Sequence, residues 1–254
     1  MSMDRLTVWY LSHSGFAVLC GRRLFVFDYY KDTPRGGFAK GVIAPEDIKE
    51  YDVTVFVSHS HYDHMNPVIF DWADTVPSIT YVLDDSVRVP REVRQKPGIR
   101  ILMVSPHRMY EIGGLTISTL LSTDEGVAYL VKADGAVIFH AGDLNWWHWD
   151  DEPERNNLWM EDTYRREVGS LKGERIDLAM LPLDPRQDHN YLLGMDYFMK
   201  TVGARYVLPM HFWGNYGVIK KLSRDPDAAP YLDRILKISK RGEMFVLPVD
   251  EKRG

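Results

Sequence analysis

The feature that most constrains the fold is residues 53–57, a short segment in which every side chain except that of Thr54 is apolar. A strand with this composition is covered on both faces, because it leaves no alternating polar positions for water. A sheet that contains such a strand needs helices or another sheet packed against it. The segment therefore predicts a layered fold of sheets and helices.

Strand-like and helix-like segments alternate along the rest of the chain. Strands are predicted at residues 6–10, 16–19, 24–27, 79–83, 99–104, 115–121, 127–131, 136–139, 176–181, 206–208 and 244–247. Helices are predicted at residues 45–50, 153–170 and 195–201, between residues 83 and 99, and in the tail before residue 244. A further helix begins after Asn66, its N-cap, with Pro67 at its first position. Because composition does not shift along the 254 residues, we expect a single domain spanning residues 1–254.

Composition limits the classes of function. Hydrophobic residues make up 45% of the chain and the net charge is -5, which predicts a globular protein and disfavours broad binding to nucleic acid. Cys20 is the only cysteine, so no internal disulfide can form and a reducing compartment is expected. The first ten residues do not resemble a signal peptide, and no apolar run reaches the ~18 residues of a membrane helix. These features predict a cytoplasmic protein outside the membrane.

A dense cluster of metal-binding side chains follows the apolar strand directly. It contains His59, His61, Asp63 and His64 within six residues. Imidazole and carboxylate together suit zinc, and less selectively manganese or iron. His59 and His61 alternate and so point the same way from an extended segment. Asp63 and His64 lie where the chain turns, so they can serve a second ion.

Two further strand ends carry similar residues. Residues 136–139 lead into Asp143, and residues 206–208 lead into His211. Strand ends that share one sheet edge are where sites assemble in related folds. Asp143 can bridge two cations and His211 can complete the second site, although each can equally serve the structure alone.

These residues resemble a known family. Residues 59–64 (HSHYDH) are similar to the HxHxDH signature of the metallo-β-lactamase superfamily, residues 140–143 (HAGD) to its strand-GD motif, and His211 to its last ligand. Residues 11–15 (LSHSG) and Asp28 resemble the branch that contains the L-ascorbate-6-phosphate lactonase. The resemblance implies an α+β fold, a four-layer αββα sandwich of two mixed β-sheets flanked by helices, with the metals at one edge.

The resemblance also implies a ligand set. Two ions are expected, with zinc favoured and manganese or iron as alternatives. The implied ligands are His59 and His61 for the first ion, Asp63, His64 and His211 for the second, and Asp143 for both.

One expected ligand is missing. The family supplies a third histidine to the first ion after the strand that matches residues 115–121, and this chain has none there. Ser122 stands closest to the expected position, and the side chains that can substitute for the histidine are those of Asp124, Glu125, His148 and His189. Asp124 is included among the candidate ligands. Alternatively, the first site is weak and one ion dominates.

Two residues near the N-terminus are candidates for supporting roles. His13 is either a hydrogen-bonded structural residue or a residue that contacts a ligand or the substrate. Asp28 is either a turn residue or a carboxylate behind a metal ligand.

Aromatic residues follow the Asp143 motif and His211. Trp147 and His148 belong to a run of large rings at residues 146–149, and Trp213 comes shortly after His211. These rings either pack between sheet and helix or line a substrate pocket. In the second case the substrate carries a ring or an apolar part.

The predicted function is a metal-dependent hydrolase. A metal-bound hydroxide would cleave a small ester, lactone or phosphodiester, with Asp63 and Asp143 as the catalytic carboxylates. The predicted partner is a small molecule, with anionic compounds included. The alternatives are a metal-dependent nuclease, which the acidic balance disfavours, a diiron protein that does not hydrolyse, and a degenerate metal-binding member of the same fold.

Overall fold

A computed structural model describes residues 5–249 of the chain. These residues form two compact units that are interleaved along the sequence. The first unit contains residues 5–105, Ala133–Gly135 and residues 239–249. Pro106–Lys132 and Ala136–Ile238 form the second unit. The single domain over residues 1–254 stays a prediction, and its residues 1–4 and 250–254 lie outside the described part.

The elements agree closely with the segments predicted from the sequence. The strands are β1 (Arg5–Ser12), β2 (Gly15–Cys20), β3 (Arg23–Phe27), β4 (Asp52–Val57), β5 (Ile79–Asp84), β6 (Arg100–Val104), β7 (Met109–Ile112), β8 (Leu115–Leu121), β9 (Val127–Ala133), β10 (Ala136–His140), β11 (Leu178–Pro182), β12 (Tyr206–Met210) and β13 (Met244–Pro248). The α-helices are α1 (Pro45–Ile48), α2 (Arg91–Arg94), α3 (Glu154–Gly169), α4 (Leu193–Thr201) and α5 (Gly217–Leu222). Turns of 3-10 helix lie at Phe38–Lys40, Pro67–Asp74, Pro185–Asn190 and Pro226–Arg234.

The first unit contains a mixed sheet of seven strands in the order β13-β1-β2-β3-β4-β5-β6. Strands β13, β1, β2 and β3 are antiparallel, whereas β3, β4, β5 and β6 are parallel. Strand β4 lies between β3 and β5, and all of its residues after Asp52 are buried. The prediction of a strand covered on both faces is confirmed. The parallel half of the sheet brings the ends of β3 and β4 to the same edge.

Helical turns cover one part of this sheet with aromatic and aliphatic side chains. The 3-10 segment Pro67–Asp74 buries Ile69, Phe70 and Trp72, and the Trp72 ring meets that of Tyr29 at a centroid distance of 4.9 Å. Its start is the one predicted, because the Asn66 side chain accepts a hydrogen bond from the Val68 amide at 3.0 Å. The segment is a 3-10 helix rather than an α-helix, so its backbone hydrogen bonds span three residues instead of four.

The second unit contains a mixed sheet of six strands in the order β12-β11-β10-β9-β8-β7. Strands β10, β11 and β12 are parallel, and β7, β8 and β9 are antiparallel. Helix α4 packs on this sheet, since Phe198 stacks on Phe139 of β10 at 5.2 Å between ring centroids. Helix α3 is tied to α4 by the Tyr164 hydroxyl, which donates to the carbonyl of Gly194 at 2.8 Å.

Three local features differ from the sequence-based expectation. Strand β7 was not predicted, because this four-residue edge strand has exposed or half-buried side chains and so lacks a strong apolar signal. Helices α1 and α2 are single turns of four residues, shorter than the segments predicted there.

Within residues 5–249, no helix is long and apolar enough to cross a bilayer.

The N-cap at Asn66 gives a test of local stability. Its side chain accepts from Val68 N and donates to Tyr30 O at 2.9 Å. We expect Asn66→Ala to lower the free energy of unfolding by about 2 kcal/mol, because it removes a cap and a second hydrogen bond. Asn66→Asp keeps the cap acceptor, so its loss should be about half as large. Urea unfolding in the presence of a chelator measures both, and equal losses in the two variants would contradict the capping role.

Candidate metal site

The segment after β4 carries two histidines whose ring nitrogens approach each other. His59 is buried and His61 is exposed. His59 Nε2 lies 3.0 Å from His61 Nδ1, and their ring planes are nearly perpendicular, at 81°. The alternation of these residues along the chain thus brings their nitrogens together. Two nitrogens in this arrangement can bind one cation.

The chain then turns, and the next two polar residues form a second group. The His64 amide donates to the carbonyl of His61 at 3.1 Å, which closes the turn. Asp63 Oδ2 lies 4.0 Å from His64 Nε2 and 3.3 Å from His13 Nε2. One ligand atom from each of these three residues lies within 4.8 Å of the others. The first unit therefore gathers two imidazoles and a carboxylate around one point.

A buried carboxylate at the end of β3 orients His64. Asp28 Oδ2 lies 2.7 Å from His64 Nδ1. Asp28 also accepts hydrogen bonds from the Ser58 amide and the Ser58 hydroxyl, at 2.8 and 2.7 Å. Because Nδ1 of His64 is held in this way, Nε2 is the nitrogen that faces Asp63. This is the geometry that a supporting carboxylate requires, and the role of Asp28 in metal binding stays a prediction.

His13 is brought into the group by the turn between β1 and β2. It is buried and has a φ of 56°, in the left-handed region that non-glycine residues seldom adopt. Its amide donates to the Tyr10 hydroxyl at 2.9 Å, which holds the turn. From the sequence, His13 is either a structural residue or one that contacts a ligand or the substrate, and the structure places its ring nitrogen next to the carboxylate of Asp63.

The surroundings of Asp63 favour its ionised form. Burial alone would raise its pKa, but the contact with His13 and the charge of His64 outweigh burial and lower the pKa to about 2. Asp63 is therefore a carboxylate at neutral pH. An ionised carboxylate can bind a cation or accept a hydrogen bond from water.

The second unit contributes a carboxylate and an imidazole of its own. Asp143 Oδ1 lies 3.3 Å from His211 Nε2, and both side chains are buried. His211 Nδ1 lies 2.9 Å from Asp184 Oδ2, so its Nε2 is directed toward Asp143. His211 has a φ of 62°, which again places a candidate ligand in the left-handed region.

Sequence reasoning missed Asp184. It is fully buried and follows β11, so the same strand-end rule that pointed to Asp143 would have found it. Arg186 binds it through Nε and Nη2, with the Nη2 contact at 2.5 Å. Burial would raise the pKa of Asp184, but the hydrogen bonds from His211 and Arg186 outweigh burial and lower it. Asp184 thus acts as an ionised support that fixes the ring of His211.

Of the predicted aromatic residues, Trp147 is buried. Its indole Nε1 donates to the carbonyl of Asp143 at 2.9 Å, and its ring lies 5.3 Å from that of His211. Trp149 stacks on Trp147 with a centroid distance of 5.9 Å and an angle of 6° between planes. The buried indole therefore supports the Asp143 segment through a hydrogen bond.

Trp213 presents a more open ring. It is 42% exposed, and its centroid lies 6.0 Å from that of His211. The guanidinium of Arg186 lies over the Trp213 ring at 5.3 Å and over the Trp149 ring at 5.8 Å. Next to His211 the second unit thus exposes a cation that is flanked by aromatic rings.

Two of the candidates to replace the missing histidine face another carboxylate. His148 Nε2 lies 3.9 Å from Asp150 Oδ1, and His189 Nδ1 lies 3.8 Å from Asp150 Oδ2. Asp124 is exposed, and its amide donates to the Ser122 hydroxyl at 3.2 Å. Glu125 is half-buried. The metal role of Asp124 and the substrate role of His148 stay predictions.

The donor groups in both units fit a divalent cation of the zinc, manganese or iron type. The first unit supplies imidazoles and one carboxylate, and the second supplies one of each. Nitrogen and oxygen donors without thiolate suit these metals. The described residues thus fit a metal ion, while its identity stays open among the three.

The chain is similar in sequence to proteins named metal-dependent hydrolases, and similar in fold to several solved structures. No family model matches the chain. A UPF0173 metal-dependent hydrolase of Caldivirga maquilingensis is 22% identical over 250 residues, which cover 94% of this chain and 97% of the relative. YhfI of Bacillus subtilis, a metallo-β-lactamase fold protein, superposes with a TM-score of 0.60 at 15% identity, over 96% of this chain and 99% of YhfI. The chain has the metallo-β-lactamase fold.

Two other solved structures share this fold. Igni18, a metallo hydrolase of Ignicoccus hospitalis, has a TM-score of 0.65 at 15% identity, over 97% of this chain and all of Igni18. CmlA, a diiron β-hydroxylase of Streptomyces venezuelae, has a TM-score of 0.60 at 12% identity, over 98% of this chain but 55% of CmlA. The prediction of two mixed sheets flanked by helices is confirmed. The narrower resemblance to the lactonase branch stays a prediction.

The lowered pKa of Asp63 gives a test on the metal-free protein. Because the folded pKa of about 2 lies below the unfolded value of about 3.9, ionised Asp63 stabilises the fold. This contribution is complete above about pH 4 and is lost as the pH falls toward the folded value. We expect the difference in unfolding free energy between wild type and Asp63→Asn to shrink by roughly 1 kcal/mol from about pH 6 to about pH 3.

Urea titrations at each pH measure this difference. Asp151→Asn, at an exposed position, controls for the loss of one negative charge. A difference for Asp63→Asn that stays constant over the range would contradict the lowered pKa.

Proposed function

We propose that the chain is a metal-dependent hydrolase that cleaves a small ester, lactone or phosphodiester. The observation that carries the proposal is the group of His59, His61, Asp63 and His64 at the end of β4, with His13 beside it. The relatives named metal-dependent hydrolases support the same class. Burying so many polar groups is costly unless they are hydrogen-bonded or bind a cation, which favours a metal-binding role for the cluster.

The proposed ligand assignment follows the order of the motifs in the sequence. We assign two zinc ions, with manganese or iron as alternatives. The proposed ligands are His59 and His61 for the first ion, Asp63, His64 and His211 for the second, and Asp143 for both, with Asp124 as a candidate addition to the first. Asp28 and Asp184 support this assignment. Each is within hydrogen-bond distance of Nδ1 of a histidine, His64 and His211 respectively. Nε2 of each of these histidines faces a proposed ligand carboxylate.

The proposed chemistry is attack by an activated water. A bound divalent cation lowers the pKa of water from 15.7 to roughly 7 and stabilises negative charge on the substrate oxygen. Asp63 is ionised at neutral pH, so it can accept a hydrogen bond from the attacking water and orient it. The Trp147 indole holds the backbone carbonyl of Asp143, and the Asp143 carboxylate lies 3.3 Å from His211 Nε2.

The surface next to His211 indicates what kind of substrate fits. The guanidinium of Arg186, which is paired with the carboxylate of Asp184, lies over the rings of Trp149 and Trp213. The aromatic rings suit a small substrate that has an apolar or ring-shaped part. This surface supports the proposal that the substrate is a small molecule. A lactone, as expected from the resemblance to the lactonase branch, is one of the proposed substrates.

The single cysteine bears on the cellular location in the proposal. Cys20 is buried, and burial raises its pKa to about 12, so it is an unreactive thiol. A chain without a disulfide suits a reducing compartment. We therefore propose a cytoplasmic location.

Metal analysis and a substrate panel test the proposed function. We expect the purified protein, reconstituted with zinc or manganese, to bind metal and to hydrolyse at least one compound in a panel of lactones, esters, thioesters and phosphodiesters. Asp63→Asn should lower kcat by a factor of about 100 or more, because the variant lacks the carboxylate that binds the ion and orients the water. Asp162→Asn, which removes an exposed carboxylate, should keep wild-type rates.

Two outcomes would reject the proposal. One is binding of less than ~0.2 equivalents of every divalent metal after reconstitution. The other is hydrolysis at the same rate in wild type and Asp63→Asn. Cleavage of an oligonucleotide, with binding that survives moderate salt, would instead favour the nuclease alternative.

The two tryptophans beside His211 should differ in effect. Trp213 is exposed, so Trp213→Ala should raise KM several-fold and leave metal content unchanged. Trp147 is buried and holds the backbone of Asp143, so Trp147→Ala should lower metal content as well. Metal analysis and steady-state kinetics on an active panel compound measure both variants. Unchanged kinetics for Trp213→Ala would remove this ring from the substrate surface.

A further inference from the structure

The histidines of the two units make two kinds of contact with carboxylates. His64 Nδ1 lies 2.7 Å from Asp28 and His211 Nδ1 lies 2.9 Å from Asp184, which are ordinary hydrogen-bond lengths. His13 Nε2 lies 3.3 Å from Asp63, and His211 Nε2 lies 3.3 Å from Asp143. The longer pairs exceed the usual range for an N–H···O bond, about 2.7–3.2 Å.

A separation of 3.3 Å is the one expected between two ligands of one ion. Ligand atoms that lie about 2.0–2.1 Å from a tetrahedral zinc are separated from each other by about 3.3 Å. The pair His211 and Asp143 is already a proposed ligand pair, and His13 and Asp63 repeat its spacing. His13 therefore has the geometry of a ligand.

We propose that His13 binds the second metal ion through Nε2, together with Asp63 and His64, and that this site binds its ion more tightly than the site of His59 and His61. The inference rests on the proposed function, because it concerns the same metal centre. It assigns His13 a direct role in place of the supporting role expected from the sequence.

The number of ligands and their burial both make the two sites unequal. The first unit supplies His13, Asp63 and His64 to one site, and all three are buried. It supplies His59 and His61 to the other, where His61 is exposed and the usual third histidine is missing. A buried ion keeps its ligands without competition from water, whereas an ion beside exposed His61 exchanges with solvent. The site of His59 and His61 thus lacks one histidine ligand, and the site of Asp63 and His64 gains one, His13.

The backbone at His13 supports a specific role. A φ of 56° costs a non-glycine residue on the order of 1 kcal/mol or more, and such residues concentrate at functional sites. This conformation directs the His13 ring toward His64, with 5.6 Å between ring centroids and an angle of 81° between planes. The Nε2 atoms of His13 and His64 lie 3.3 and 4.0 Å from the same oxygen, Asp63 Oδ2.

Metal titration of three proteins tests the inference. We expect wild type to bind zinc in two steps of different affinity, measured by competition with a chromophoric chelator. His13→Gln retains an amide at the place of Nε2, which can still donate to Asp63. If His13 is a ligand, this variant should weaken the tighter step by more than about 100-fold, beyond the 10–100-fold range of residues that only support a ligand. His61→Gln should weaken the looser step and leave the tighter one unchanged.

A second variant guards against misfolding. His13→Gly suits the left-handed conformation and leaves a space the size of an imidazole. Added imidazole should restore the tighter step in this variant and not change the wild type. In zinc-loaded wild type labelled with ¹⁵N-histidine, the Nε2 resonance of His13 should shift on metal binding and show no attached proton.

The outcomes separate this inference from the proposed function. A wild type that binds no metal rejects both. A wild type that binds metal, with a loss of about 100-fold or less in His13→Gln and no rescue by imidazole, rejects only the role of His13. Equal affinity for both ions in wild type rejects the inequality of the sites.

Discussion

The metal-binding segment depends on one buried carboxylate, Asp28. Parallel pairing of β3 and β4 places the end of β3 beside the end of β4, and the Asp28 amide donates to the carbonyl of Phe56 at 3.0 Å. From that position the carboxylate binds the Ser58 amide, the Ser58 hydroxyl and the ring of His64. The contact therefore fixes where the strand ends, how the chain turns and which nitrogen of His64 faces Asp63. A buried carboxylate with several hydrogen bonds is costly to disturb, so Asp28 anchors the whole arrangement.

Much of the fold could be predicted because its signals are local. The apolar run before Ser58 predicts a doubly covered strand, and Asn66 followed by Pro67 predicts a helical start, since both depend on neighbouring residues only. Strand β7 has no such signal, because an exposed edge strand needs no apolar side chains. The 3-10 winding of Pro67–Asp74, in which Trp72 packs against Tyr29, has no comparable local signal in the sequence.

Some residues of the candidate site also have a local signal in the sequence, whereas others are brought together only by the fold. His59, His61, Asp63 and His64 stand together in the sequence, so their density alone predicts a metal site. The position of His13 beside Asp63 depends on the turn between β1 and β2 and on the register of a sheet, which link residues about fifty positions apart. Asp184 escaped notice for a different reason. Its place after β11 is a strand-end signal like that of Asp143, but only the fold shows that it is buried behind His211.

Backbone conformation at the site limits how this sequence can change over evolution. His13, Asp28, His211 and Trp213 all have φ between 42° and 62°, where β-branched residues are strongly disfavoured and glycine, asparagine, aspartate and histidine are best tolerated. Neutral drift at the first three positions is therefore confined to a few residue types, whatever metal or substrate is selected. A descendant that abandons metal chemistry would still carry glycine or small polar residues at these turns, so the fold would keep the outline of the site after its activity is lost.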